Sequence, residues 1–217
     1  MEALQKKNKG FTLLELLVVL ALVSVVSAIG FPNFNSWRSD REVRVAAVQL
    51  SNLFTEVYNH TQGSAYPFTQ VLINSKESEI VVTGHGMTTD QYSTVLYNNN
   101  NSRPNCEVGT KGDEWSNIRI KPFRNDRVLF QIVDTLGICF SKRTSHYNVN
   151  AETEVFTGES VILCLKRIMN SRGFNACDND DIENENTNYP AYLVEWSRFG
   201  NINMYKYNHA DNEWILQ

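Results

Sequence analysis

Residues 9–32 read KGFTLLELLVVLALVSVVSAIGFP, and the stretch from Phe11 to Phe31 carries a single charge, Glu15. As a helix this run is about 30 Å long, the thickness of a bilayer's hydrocarbon core. It is apolar on every face, whereas a helix packed on a soluble core shows a polar side. A cleaved secretory signal would be shorter and would end in an A-x-A-like site, and Ser27-Ala28-Ile29 makes a poor one. A plain signal anchor fits the length but gives no reason for Glu15. A carboxylate in a membrane costs about 2.5–3.5 kcal/mol on insertion scales and is functional by default; the bland alternative is that it snorkels to the headgroups. Charge does not set the orientation, because Lys6, Lys7 and Lys9 precede the run and Arg38, Arg41 and Arg44 follow it.

Beyond Pro32 the helical pattern continues. Val43, Ala47, Leu50, Phe54 and Val57 recur at spacings of three and four and form one apolar stripe. Arg41, Arg44, Gln49, Asn52 and Glu56 fall on the other side. The stripe predicts packing onto a folded head. Pro32 lacks a backbone donor and is expected to kink the helix. The breaker cluster Gly63-Ser64-Ala65-Tyr66-Pro67 predicts a helix end near Thr61.

From residue 68 the pattern is strand-like. Phe68–Ile73, Glu79–Thr83, Tyr92–Tyr97, Trp115–Lys121 and Arg127–Val133 are rich in β-branched and aromatic residues. Leu136–Ser141 and Thr153–Thr157 are weaker candidates, and Ser160–Met169 reads equally as strand or short helix. Tyr192–Phe199 and Ile202–Tyr207 flank Gly200-Asn201 as a hairpin, with Trp214–Leu216 as a last strand. Asn98–Asn101 and Asp178–Asn188 read as loops. The class is therefore α+β: a long N-terminal helix on an antiparallel sheet.

The motif Lys9-Gly10-Phe11-Thr12-Leu13-Leu14-Glu15 places a short basic leader, a Gly, a Phe and, four residues on, a Glu at the head of the apolar run. It resembles the class III signal of type IV pilins, type II secretion pseudopilins and their competence relatives. The resemblance extends over residues 6–34, including Pro32. It implies cleavage by a prepilin peptidase between Gly10 and Phe11 and N-methylation of Phe11. It also implies assembly through Phe11 and Glu15, the carboxylate pairing with the N-terminal amine of a neighbouring subunit. The implied organisation is a leader, 1–10, an N-terminal helix, 11–62, with 11–31 transmembrane, and a β-rich head, 63–217, in a pilin-like fold. The implied setting is the bacterial inner membrane, single-pass with the head in the periplasm, then a pilus or pseudopilus. The implied partners are other pilin or pseudopilin subunits, the peptidase and an inner-membrane assembly platform. The length is more usual for a minor subunit, and the arrangement loosely resembles the H-type minor pseudopilins.

No enzymatic constellation stands out. His60, His85, His146 and His209 are scattered without metal-ligand spacing, and no nucleophile elbow or phosphate loop is present. Gly84-His85-Gly86 reads as a turn. Cys106, Cys139, Cys164 and Cys177 lack C-x-x-C spacing and fit structural disulfides of an oxidising compartment. Chain order mildly favours Cys106–Cys139 and Cys164–Cys177 among three pairings. The first would fasten the 105–113 loop if the Trp115 and Arg127 strands formed a meander. No cofactor is expected. Asp178, Asp180, Asp181 and Glu183 offer enough oxygens for calcium, as in the C-terminal loop of major pseudopilins, but lack the EF-hand pattern. The chain carries net −4. Without its first ten residues, which hold three lysines and one glutamate, it carries −6. An acidic body argues against general nucleic-acid binding. A basic group of Lys111, Arg119, Lys121, Arg124 and Arg127, with Arg119 and Lys121 on one strand face, keeps a DNA-receptor reading open. Three functions follow: a structural filament subunit, an adhesin or DNA receptor displayed on a filament, and a bitopic membrane protein with no filament.

Overall fold

The computed structural model describes residues 11–63, 65–75, 79–98, 115–131, 135–141, 147–149, 160–171, 177, 182, 189–197 and 200–217; the side chains of 28–33, 135, 136 and 147–149 lie outside that description. Two compact units divide at Arg38 and Ser39. The helix α1, Leu13–Gln62, is assigned without a break across Pro32 and contributes to both.

In the first unit α1 has no apolar stripe to bury. Large apolar side chains from Leu13 to Val26 are between 52% and 78% exposed on all sides of the helix. Ser24 disposes of its hydroxyl within the helix, donating to the Leu20 carbonyl at 2.8 Å. Phe34 and Trp37 lie ring against ring, 5.8 Å apart.

The second unit is α+β, with two antiparallel sheets where one was expected. The first has strand order β3-β2-β1-β6-β7, with β4 also on β2. Its strands are β1 Phe68–Ser75, β2 Ile80–Met87, β3 Ser116–Asn117, β4 Phe123–Asn125, β6 Thr135–Ser141 and β7 Tyr147–Val149. The second has order β11-β10-β9-β8-β5. Its strands are β5 Val128–Phe130, β8 Ser160–Leu165, β9 Ala191–Trp196, β10 Ile202–Asn208 and β11 Glu213–Leu216. Both sheets turn one face to α1. Val43, Ala47, Leu50, Phe54 and Val57 share a single core with Val71, Ile73 and Phe140 of the first sheet and Leu163, Val194 and Trp196 of the second. Phe54 joins the two sheets: its ring centroid is 6.4 Å from that of Phe140, edge-on, and 5.1 Å from that of Trp196, stacked. Between β4 and β5 the chain crosses from one sheet to the other in a tight turn. There the Asn125 side-chain oxygen accepts from the backbone N–H groups of Arg127 and Val128 at 2.8 and 3.1 Å.

Several sequence expectations are corrected. Tyr92–Tyr97 is not a strand but lies in helix α2, Thr89–Asn98. Its aromatic and β-branched content suggested β, and a capping box overrides it. The Thr88 N–H donates to Gln91 Oε1 at 2.9 Å, and the Gln91 N–H donates to Thr88 Oγ1 at 3.4 Å. Phe68, Met87, Val95 and Cys139 bury together under this helix, with Tyr92 and Trp115 against them. Gly84-His85-Gly86 is not a turn but the middle of β2. A Cβ on Gly84 would come within 2.7 Å of Val57 Cγ2, so the glycine lets α1 approach the strand. Arg119 and Lys121 are not on a strand, since β3 ends at Asn117, and the shared-face argument for them fails. The supposed meander is absent, because β3 and β5 belong to different sheets. Ser160–Met169 resolves into β8 followed by a short helix α3, Lys166–Asn170. The Thr153–Thr157 strand lies outside the described residues. The β9–β10 hairpin forms as expected, with Gly200 at φ +79° and pressed so closely on the Tyr58 ring that a Cβ has no room.

Phe54→Ala is expected to destabilise the folded unit by about 3–5 kcal/mol, because both sheets lose a shared ring and neither can close the gap alone. Urea unfolding of the full chain in detergent measures it; a loss below about 1 kcal/mol would show that the two sheets do not depend on this contact.

Candidate functional site

The residues singled out at the N-terminus sit on the first turn of α1. Gly10 lies outside the described residues. Phe11 is 86% exposed and precedes the helix. Thr12 caps that helix. Its Oγ1 accepts the Glu15 N–H at 3.2 Å, and Glu15 Oε2 accepts the Thr12 N–H at 3.4 Å. This reciprocal arrangement is a capping box, with the carboxylate three residues into the helix where the positive end of the helix dipole favours it. Sequence reasoning missed it, although Thr12-x-x-Glu15 ahead of an apolar run is its signature. Glu15 is thus aimed back along its own chain toward the Phe11–Thr12 peptide, one residue past the nitrogen that cleavage after Gly10 would free as an amine.

Among the described residues no helix is long and apolar enough to cross a membrane. The described side chains of the apolar run end at Ser27, about three residues short of the roughly 20 that a span needs, while the sequence carries the run on to Phe31. Pro32 lies within α1, its side chain outside the description.

A second concentration of polar contacts lies at the start of the second unit, where the apolar stripe of α1 gives out below Val43. Arg167 of α3 donates to Ser39 Oγ at 2.5 Å. The Tyr192 hydroxyl of β9 donates to the Asp40 carboxylate at 3.2 Å, and Lys206 of β10 pairs with it at 2.7 Å. Arg127 pairs with Glu42 at 3.6 Å. Burial, and then the charge and hydrogen bond of Asp40, push the Tyr192 phenol above its ordinary range, with Arg44 close enough to oppose them. One turn of α1 is thereby held by side chains from four places: α3, β9, β10 and the β4–β5 turn.

Of the cysteines, Cys164 and Cys177 are joined in a disulfide with Cα atoms 5.9 Å apart. Cys139 is buried in β6 and is also disulfide-bonded; Cys106 lies outside the described residues. The calcium candidates Asp178, Asp180, Asp181 and Glu183 lie outside them as well. No three metal-ligating side chains cluster among the described residues. Of the basic group, Lys111 is outside the description, and Arg124 pairs with Glu79 at 3.3 Å as Arg127 does with Glu42.

A family model for the prokaryotic N-terminal methylation motif matches residues 5–31. No curated protein and no solved structure matches the chain. The matched segment is the one that bears Gly10, Phe11 and Glu15. It supports a pilin-like signal, and with it a structural subunit of the pilin type rather than an enzyme.

His85 stands half-buried on β2, its Nε2 2.9 Å from Thr83 Oγ1, and burial holds its imidazole below the ordinary 6.5. The folded state keeps the ring neutral while the unfolded chain protonates it, so its contribution to stability is complete above about pH 6.5 and declines as pH falls below that. The thermal midpoint should drop between pH 7.5 and 5.5, and His85→Gln should flatten that slope. Parallel slopes for the two proteins would assign the pH dependence to other groups.

Proposed function

We propose that the chain is a filament subunit of the pilin or pseudopilin type, made as a precursor and held in a membrane by residues 11–31 before assembly. The observation that carries this reading is the uncovered first half of α1. Eleven large apolar side chains from Leu13 to Val26 surround the helix, and none of them is buried. Water does not tolerate such a surface, and a bilayer or a bundle of like helices does. Glu15 then follows as the one charge in that surface, placed one turn from the amine that cleavage after Gly10 would create. In the bilayer the Thr12–Glu15 capping box supplies the carboxylate with a partner from its own chain. In a filament the amine of a neighbouring Phe11 would supply an opposite charge, which sets the axial position of one helix against the next. A bend at Pro32, a periplasmic head, a prepilin peptidase and an inner-membrane platform belong to the same reading, as does a minor rather than a major role. The receptor alternative gains no support from the basic group, because Arg124 and Arg127 face acids of their own chain.

Intact mass spectrometry of the membrane-extracted protein should give a mature chain that begins at a methylated Phe11, and Gly10→Val should leave the leader on. An unprocessed Met1 terminus in cells that contain the peptidase would sink the proposal. Glu15→Leu should insert at least as well as wild type, since a membrane charge is removed, yet enter sheared filaments less. Equal incorporation would contradict the pairing role.

A further inference from the structure

Past its apolar run α1 turns polar, with two exceptions. Asn35, Ser36 and Arg38 are exposed, as polar residues on a helix ordinarily are. Among them Phe34 and Trp37 are exposed as well, by 57% and 52%. They stand three positions apart on one face of the helix, with ring centroids 5.8 Å apart and planes tilted by 36°. Both belong to the first compact unit, on the same helix as Glu15 and the apolar run. The run itself is aliphatic: from Thr12 to Gly30 the sequence has no aromatic residue, whereas Phe11 precedes that stretch and Phe31, Phe34 and Trp37 follow it. An aliphatic middle closed by aromatic ends is the pattern of a helix fitted to a bilayer and its two interfaces.

The spacing agrees with that pattern. Phe34 lies 19 residues and Trp37 22 residues past Glu15 along α1, rises of about 29 and 33 Å. A hydrocarbon core is about 30 Å thick, and each interfacial layer adds about 5–8 Å. With Glu15 at one boundary of the hydrocarbon, Phe34 therefore comes to the other and Trp37 enters the headgroup layer. An indole combines a large apolar body with a polar N–H and settles where one end is apolar and the other wet. Water alone would leave both rings exposed without return, and a deeper position would take Asn35 and Ser36 into hydrocarbon with them. The interface satisfies the rings and their polar neighbours together.

We propose that Phe34 and Trp37 form an aromatic anchor that docks in the lipid headgroup–acyl boundary at the C-terminal end of the span and so fixes the depth of Glu15 at the other end. The inference rests on the membrane-held reading above. The partner is the boundary layer itself, whatever the charge of its headgroups. A second copy of the helix is the other apolar surface within reach, but it offers the indole no wet edge.

The test uses the full chain in phosphatidylcholine proteoliposomes. The chain has four tryptophans, at 37, 115, 196 and 214, so the difference in emission between wild type and Trp37→Phe isolates Trp37. Lipid brominated near the headgroup end of the acyl chain should quench that difference signal more than lipid brominated near the methyl end. No quenching by either, or stronger quenching by the deep bromines, would overturn the proposal. So would quenching that appears only when the protein is diluted in lipid, which would assign the rings to a second copy. The anchoring itself is read from a fluorophore on Val26→Cys. Phe34→Gln with Trp37→Gln should move that reporter toward the interface by about 5 Å, one helical turn, while Phe34→Tyr with Trp37→Tyr should hold its depth. An unmoved reporter in the glutamine pair, or an equal movement in the tyrosine pair, would show that the rings set no depth. Release of the wild-type chain by carbonate would instead refute the membrane-held reading, whereas retention with Trp37 unquenched refutes only the anchor.

Discussion

Phe54 inserts between two sheets that have no strand in common, stacking on Trp196 of one and meeting Phe140 of the other edge-on. Neither sheet closes over a core without the helix that carries this ring. The second half of α1 is therefore the common wall of both, and its stripe residues Val43, Ala47, Leu50, Phe54 and Val57 are all fully buried. Close approach has local requirements that the sequence meets: glycine at position 84 opposite Val57, and glycine at 200 beneath Tyr58. The threonines extend the seam past the apolar stripe. Thr61 and Thr69 pair their hydroxyls across it, so two buried polar groups satisfy each other.

One helix solves two solvation problems by composition alone. Its second half is amphipathic and is covered by its own chain. Its first half is apolar all round and, among the described residues, is left uncovered in its own unit. Between them lies a turn that neither apolar pattern claims, with Ser39, Asp40 and Glu42 facing the protein. Polar contacts from α3, β9, β10 and the β4–β5 turn secure it where hydrophobic burial stops. Partly exposed pairs of this kind add little stability singly. Their convergence on one turn fixes the point at which the helix leaves the sheets.

Periodicity and breakers were the legible part. The stripe from Val43 to Val57 is an i, i+4, i+7 pattern, the Gly63–Pro67 cluster stops the helix at Gln62, and Gly200-Asn201 between two β runs makes the last hairpin. The illegible part has physical reasons. Tyr92–Tyr97 looks like a strand by composition because propensity is a weak prior; the Thr88–Gln91 capping box, which lies just ahead of that window, decides for helix. Gly84 and Gly86 look like a turn because a close approach and a reversal ask for the same residue. The second sheet was invisible because sheet membership is set by pairings between segments distant in sequence, such as Leu129 with Cys164, which leave no local pattern. Of the candidate site, Phe11 and Glu15 were read from their motif; Thr12 was overlooked although Thr12-x-x-Glu15 ahead of an apolar run spells a capping box, because the leader motif drew attention to the charge alone.

Thr12 changes the account of the charge that the proposed reading carries into the membrane. A hydrogen bond accepted by a carboxylate lowers the cost of taking it out of water, and at 3.4 Å the Thr12 contact is a long and therefore weak one. On the proposed reading, the capping box thus offsets part of the cost of carrying Glu15 through the membrane as a single chain. What it cannot supply is an opposite full charge. Its neutral N–H donor, 3.4 Å away, leaves the carboxylate able to exchange that contact for an ammonium when a neighbouring helix presents one. A charge wholly without a partner would resist insertion, and one already paired to a cation of its own chain would gain nothing from a neighbour. The moderate partner that Thr12 provides lies between these limits, so the same residue permits a stable anchored monomer and leaves a reason for it to assemble.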